Sequence, residues 1–282
     1  MTENWFIGID GSSTARAALR WAVAHAPSRG AHLTLVHVAH DNLVHRALSK
    51  IRRDEPESST ADAQVIHELD PAVAGIVGDL PVDYRTLVGS ASKQMAADHG
   101  DVTLRILGRH GAGTRWLQTL GSVSRYCATH SSVPVVLVPD DWEAETTQRV
   151  TVGFDGSTNS AAAVDWAIRF AAPDTQVHAL LALDIAPWLP ADVAEVRLKG
   201  ELHQHETDLR ARLDDVDPLG RARRDVVVGD ARVALARASE RSDLLVIGAR
   251  GAGRLGPTLL GSVSTWLLDA SGCPMVVVPA TT

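Results

Sequence analysis

The chain is written twice. Ile7-Gly8-Ile9-Asp10-Gly11-Ser12 returns 145 residues later as Val152-Gly153-Phe154-Asp155-Gly156-Ser157, and Trp21 matches Trp166 in the stretch that follows. Val88-Gly89 then matches Val228-Gly229, and Pro134–Pro139 matches Pro274–Pro279, both at an offset of 140. The offset changes across a middle segment of unequal length, residues 40–80 against 184–221. A repeat of this size dictates two similar domains, 1–145 and 146–282. Each has enough residues to bury its own core. The linker between them is acidic and polar, from Asp140-Asp141 to Thr146-Thr147.

Within each copy, short β-branched runs alternate with helical periodicity, the pattern of a parallel α/β sheet. Strands are expected near 5–10, 32–38, 82–88, 102–108 and 134–138. Their second-half counterparts fall near 149–155, 175–183, 222–228, 243–248 and 274–278. Helices are expected near 13–26, 58–77, 90–99 and 121–131. Runs such as Leu244-Leu245-Val246-Ile247 are apolar throughout, as strands are when helices cover both faces of the sheet.

A second repeated pattern carries chemistry. Gly108-x2-Gly111-x9-Gly121-Ser122 precedes Gly248-x2-Gly251-x9-Gly261-Ser262 by 140 residues, and each copy opens onto Gly-Ser-Val-Ser. Glycines let backbone approach a ligand, and a helix start presents N–H groups and the positive end of a dipole to an anion. This is not a Walker loop, which needs Gly-Lys-Ser/Thr. The three lysines, Lys50, Lys93 and Lys199, follow Ser49, Ser92 and Leu198. Gly251-Ala252-Gly253-Arg254-Leu255-Gly256 imitates a dinucleotide fingerprint, but its first-half counterpart has Trp116 at the third glycine. It also lies too near the C-terminus for an acidic ribose ligand on a following strand.

The end of the first strand carries Asp10 or Asp155, where a flavodoxin-type site would place phosphate-binding hydroxyls. A carboxylate repels phosphate but accepts hydrogen bonds from a sugar hydroxyl or a base amine. Phosphates are therefore expected at the fourth strand and its glycine loop, with base and ribose towards the first strand. Ligands in open α/β sheets lie at the carboxyl ends of strands where the order reverses, which unites the two motifs in one pocket.

The Asp-Gly-Ser strand end, the G-x2-G-x9-G-S loop and the terminal Val-Pro strand resemble the universal stress protein family in its tandem form, over nearly the whole chain. The resemblance implies two doubly wound, Rossmann-like or flavodoxin-like domains with five-stranded parallel sheets of order 3-2-1-4-5. It implies binding of ATP or a related adenine nucleotide, with or without Mg2+. Carried over by position, Gly8, Asp10 and Val38 would line the base and ribose side of the first site. Gly108, Arg109, Gly111, Gly113, Gly121, Ser122, Val123 and Ser124 would hold ribose and phosphates. The second site would use Gly153, Asp155, Leu183, Gly248, Arg250, Gly251, Gly253, Gly261, Ser262, Val263 and Ser264. Arg250 fits the family's basic residue inside the loop, where the first copy has His110. Fifth strands pair between domains in the family, which implies an internal pseudo-dimer and leaves another surface for a homodimer.

The two copies are unequal. Arg105 stands in the fourth strand where the second copy has Leu245. A buried arginine must find a carboxylate, reach a surface or contact a partner, so the first site is expected to be looser or differently loaded.

Net charge is −7, distributed as −4 over residues 1–145 and −3 over 146–282, which argues against a nucleic-acid face. Met1–Trp5 has no basic and apolar leader, and no apolar run reaches membrane-spanning length. Cys127 and Cys273 occupy non-equivalent positions and read as buried small residues, consistent with a cytoplasmic protein. His37, His40 and His45 do not converge as zinc ligands should, and no metal site is expected. Trp21 and Trp166 read as core. No nucleophile–base arrangement stands out, so no catalytic residue is assigned. The expected function is a nucleotide-binding stress or dormancy regulator acting through conformation or an unidentified protein partner. The alternatives are a slow ATPase or nucleotide hydrolase on the same fold, and an assembly module pairing through the fifth strands.

Overall fold

The computed structural model describes residues 3–39, 59–111, 120–143, 146–183, 191–251 and 260–279. The chain divides into two compact units, Met1–Thr146 and Thr147–Thr282. In the first, β1 (Asn4–Gly8), β2 (His32–Ala39), β3 (Val82–Val88), β4 (Leu104–Gly108) and β5 (Val135–Val138) pair in parallel in the order β3-β2-β1-β4-β5. The second repeats that order as β8-β7-β6-β9-β10. Its strands are β6 (Arg149–Phe154), β7 (Gln176–Leu183), β8 (Ala222–Val228), β9 (Leu244–Gly248) and β10 (Met275–Val278). Strand order therefore reverses beside β1 and β6, at the carboxyl ends of β1 and β4 in one unit and of β6 and β9 in the other.

Helix α1 (Ser13–Arg29) starts where Ser12 accepts a hydrogen bond from the Ala15 N–H, and it ends on Gly30 in the left-handed region at φ 60°. Trp21 of α1 is fully buried, tilted against Trp5 at 5.9 Å. Its counterpart Trp166, in α6 (Thr158–Phe170), is only half-buried and stacks on Phe170 at 4.7 Å, so the second tryptophan is less a core residue than the repeat suggests. The expected helix over 58–77 is two helices, α2 (Ser59–Leu69) and α3 (Ala72–Val77). Pro71 lacks an N–H and disfavours helical backbone at Asp70. The buried Asp70 holds the break, accepting from Ala72 N at 3.1 Å and from Arg16 Nη1 at 3.1 Å. The second unit has one long helix in this part of the chain, α7 (Ala191–Val216).

His25 makes the first unit sensitive to acid. It stacks on Trp21 at 4.3 Å, its Nδ1 lies 2.7 Å from the Trp21 carbonyl, and burial lowers its pKa. The unfolded chain then takes up the proton more readily. The contribution to stability is complete above the ordinary imidazole value of about 6.5 and is lost as pH falls from there through the lowered value of the folded state. Urea unfolding of the first unit should show lower stability at pH 5 than at pH 7.5, and His25→Gln should flatten that difference. An unaltered pH dependence in the variant would discard the assignment.

Arg105 is held by backbone carbonyls and a hydroxyl, with no carboxylate at ion-pair distance among the described residues and only a longer-range attraction to Asp98. It is 1% exposed in β4, and its guanidinium donates from Nε to the Met95 carbonyl at 2.6 Å and from Nη1 to Ser131 Oγ at 2.7 Å; Nη2 reaches the Ala97 carbonyl. Those carbonyls end α4 (Ala91–Ala96), where a cation also meets the negative pole of the helix. In the second unit α8 (Ala231–Ser239) is nearly a turn longer, and the fully buried Leu245 stands in place of the arginine. The guanidinium therefore occupies the polar groups that an early helix end leaves open. Burial pulls its pKa down, and burial pushes that of the neighbouring Cys127 thiol up to about 12.

Candidate functional site

Each crevice is floored by the end of two strands and walled by one helix start. In the first unit the cavity encloses about 240 Å³ and is lined on the strand side by Gly8, Ile9, Asp10 and Val36–Val38. Gly108, His110 and Gly111 close it from β4, and Gly121–Ser124 close it from α5 (Ser122–His130). The second cavity, about 280 Å³, has Gly153–Asp155 and Ala182 on one side. Gly248, Arg250, Gly251 and Gly261–Ser264, at the start of α9 (Ser262–Ala270), lie on the other. Both volumes fall just below the usual range of ligand pockets, about 300–1,000 Å³.

Two local devices shape these ends. The first is the aspartate turn. Asp10 Oδ1 accepts from Ser12 N at 3.0 Å, and Asp155 Oδ1 accepts from Ser157 N at 3.0 Å. Ser12 and Ser157, not the aspartates, then cap α1 and α6. Gly11 and Gly156 make this turn at φ 78° and 76°, a region that disfavours any residue with a Cβ. The second carboxylate oxygen reaches the loop: a Cβ on Gly111 would meet Asp10 Oδ2 at 3.1 Å, and one on Gly251 would collide with Asp155 Oδ2.

The second device closes the glycine loop at its base. Gly121 N donates to the Arg109 carbonyl at 2.9 Å, and Arg109 N to the Val138 carbonyl at 2.8 Å. Gly261 N and Ala249 N repeat both bonds at 2.9 and 2.7 Å. Ser124 Oγ donates to the Gly108 carbonyl at 2.7 Å and Ser264 Oγ to the Gly248 carbonyl at 2.9 Å. These two hydroxyls thus pin the helix to the strand.

Helices α5 and α9 begin on Gly121 and Gly261 with no side-chain cap, whereas α1, α6 and α8 are capped by Ser12, Ser157 and Asp230. A helix start leaves four N–H groups without intrahelical partners. Two matched starts without side-chain caps each open on a cavity, and such an end suits an anion.

Not every expected residue lines a cavity. Arg109 is buried and contributes its backbone to the loop closure, while His110 takes the lining position. Leu183 is buried outside the second lining, and its neighbour Ala182 takes its place. Gly113 and Gly253 lie outside the described residues. His37 went unassigned in the sequence and is a lining residue, its Nδ1 2.9 Å from the Ile9 carbonyl. Its position opposite Ala182 in the repeat was the available signal. Among the described residues no group of three or more His, Cys, Asp or Glu converges on a metal position. No described helix is long and apolar enough to cross a membrane.

Two five-stranded parallel units, each with its crevice at the switch point and an uncapped glycine-started helix, define a tandem α/β protein with one crevice per unit. The universal stress protein family model matches residues 1–139 and 146–279, and the chain belongs to the universal stress protein family. It is 29% identical over 287 residues to a universal stress protein of Mycobacterium tuberculosis H37Rv, covering 96% of this chain and 94% of that one. A second from the same strain is 29% identical over 292 residues, covering 96% and 95%. Among solved structures, a universal stress protein from Archaeoglobus fulgidus aligns with a TM-score of 0.65 at 18% identity, covering 99% of this chain and 98% of that one. That likeness shows the shared fold.

Proposed function

We propose that this protein binds an adenine nucleotide, ATP or a close relative, in each unit and acts as a cytoplasmic stress or dormancy regulator through nucleotide-dependent conformation or partner binding. One observation carries the reading. In both units a carboxylate and an uncapped helix start face each other across one cavity, Asp10 against Gly121–Ser124 and Asp155 against Gly261–Ser264. A nucleotide has the matching polarity, with hydroxyls and an amine at one end and anionic phosphates at the other. Gly8, Asp10 and Val38 would take the base and ribose of the first ligand, and Gly153 and Asp155 those of the second. The glycine loops and the N–H groups of α5 and α9 would take the phosphates. Any Mg2+ would arrive on the phosphates, since each lining holds a single carboxylate. Regulation further requires that the nucleotide favour one of two states of the protein.

Mass spectrometry of ligands released from freshly purified protein tests the reading against Gly261→Glu. A Cβ on Gly261 meets only ordinary contacts, the nearest Gly251 N at 3.4 Å, so the backbone accepts a side chain there, and circular dichroism and melting of the variant check that it folds. Wild-type protein should release adenine nucleotide, and the variant about half as much. Absence of bound nucleotide together with no calorimetric affinity for ATP would refute the proposal. Single-turnover incubation with Mg2+ should return ATP intact; release of ADP would favour the hydrolase alternative instead.

A further inference from the structure

The two crevices differ on the side away from the glycine loops. His37, near the end of β2, lines the first cavity, and Ala182 holds the same place in the second. The His37 ring is part-buried, and its Nδ1 lies 2.9 Å from the Ile9 carbonyl. A carbonyl oxygen only accepts, so Nδ1 carries the hydrogen and the neutral ring keeps a lone pair on Nε2. That Nε2 retains open surface and has no partner among the described residues. Around the ring the cavity is apolar, with Val36, Val38, Ala91 and Met95. The second cavity offers Leu180, Ala182, Ala231 and Leu235 on that side, none of them able to hydrogen-bond through a side chain. We propose that His37 is the base-reading residue of the first site: its Nε2 accepts the exocyclic amine of an adenine, whereas the second site has no side chain there that does so.

Place and chemistry agree. Strands β2 and β4 both pair with β1, so the end of β2 stands about 10 Å, two strand spacings, from the end of β4. The helix start suited to phosphates follows β4. His37 therefore meets the far end of a bound nucleotide, where the base lies. An apolar slot takes the flat faces of a purine, and a few placed polar groups fix its orientation. Here the placed group is an acceptor, so it selects for an N–H on the edge of the base, and the adenine 6-amine supplies one. A base with no donor at that point leaves the lone pair unpaired, which costs more than the bond itself contributes. In the second site only backbone groups are left to read the edge of the base from this side, so its choice among purines is weaker.

This inference rests on the nucleotide reading, and its test separates the two. Calorimetry at pH 8 uses the full chain with one site blocked, by Gly261→Glu to read the first or Gly121→Glu to read the second. The probes are ATP and purine riboside triphosphate, which lacks only the 6-amine. The ratio of their affinities within one protein cancels sugar and phosphates. The preference for ATP should be roughly tenfold larger at the first site than at the second, the effect of one hydrogen bond to a sheltered acceptor. His37→Ala, which installs the residue of the second site, should bring the first ratio down to that of the second. Ala182→His should raise the second ratio, in a unit whose folding does not involve His37. Equal preference at two functioning sites overturns the proposal and leaves nucleotide binding standing, and so does a His37→Ala first site that keeps its preference. A first site that binds neither probe while the second binds both has the same meaning. Failure of both probes at both sites overturns the nucleotide reading as well.

Discussion

Gly248→Ala should cost the second unit about 3 kcal/mol, the upper part of the range for forcing atoms into a packed interior. A Cβ there would lie 2.7 Å from the Asn159 carbonyl carbon and 2.8 Å from its oxygen, both backbone atoms of α6. Backbone within a helix cannot swing aside as a side-chain tip does, so strand and helix must part. Gly108→Ala should act alike in the first unit, where the Cβ would meet Thr14 backbone at 2.6 Å. The expected readout is a fall of roughly 10 °C in the melting temperature of the affected unit, with loss of the crevice between the two elements. Gly8→Ala is the contrast: its Cβ would meet only side-chain tips, Leu107 Cδ2 at 2.6 Å and Met95 Cε at 3.5 Å, so the fold should survive while the cavity narrows. A Gly248→Ala protein that melts within a degree or two of wild type would show that the close approach is not required.

Arg105→Leu, which installs the residue of the second unit in the first, should destabilise the first unit by about 3 kcal/mol. The substitution leaves the Met95 and Ala97 carbonyls without their guanidinium donors, in buried and part-buried surroundings, and takes one of two donors from Ser131 Oγ, which keeps Val133 N. Leu245 is harmless in its own unit because α8 continues past the corresponding position. Hydrogen exchange should show lost protection over residues 91–97 and no change over 231–239. Met95 lines the first cavity, so the same variant should weaken ligand binding there and leave the second site alone. Unchanged exchange and melting would mean that Arg105 fills space and nothing more.

The strands were legible in the sequence to within a residue or two, since buried parallel strands are continuous apolar runs. So were the glycine loops, because chance seldom repeats three glycines and a serine at the same spacing beside the same kind of strand. Asp10 and Asp155 were legible as crevice residues, but the division of labour with Ser12 and Ser157 was not. Capping depends on which oxygen a turn aims at the first N–H groups. Ser124 and Ser264 were assigned to the ligand side, and each lines its cavity, but nothing in the sequence signalled that its hydroxyl donates to a strand carbonyl sixteen residues back. Leu183 was assigned to the second lining by its offset from Val38, whereas the structure presents Ala182 instead.

The sequence by itself determined that there are two α/β units and which loops line the crevices, and its resemblance to the family implied where each sheet reverses order. Hydrophobic periodicity, glycine spacing and the repeat are all local signals, written along one stretch of chain. Tertiary structure alone decided how Arg105 is satisfied, that His110 rather than Arg109 lines the crevice, and that Asp140 reaches its ring. Each of those depends on groups 8 to 30 residues apart meeting at hydrogen-bond distance. Such a meeting is set by the packing of whole strands and helices, and no local pattern encodes it.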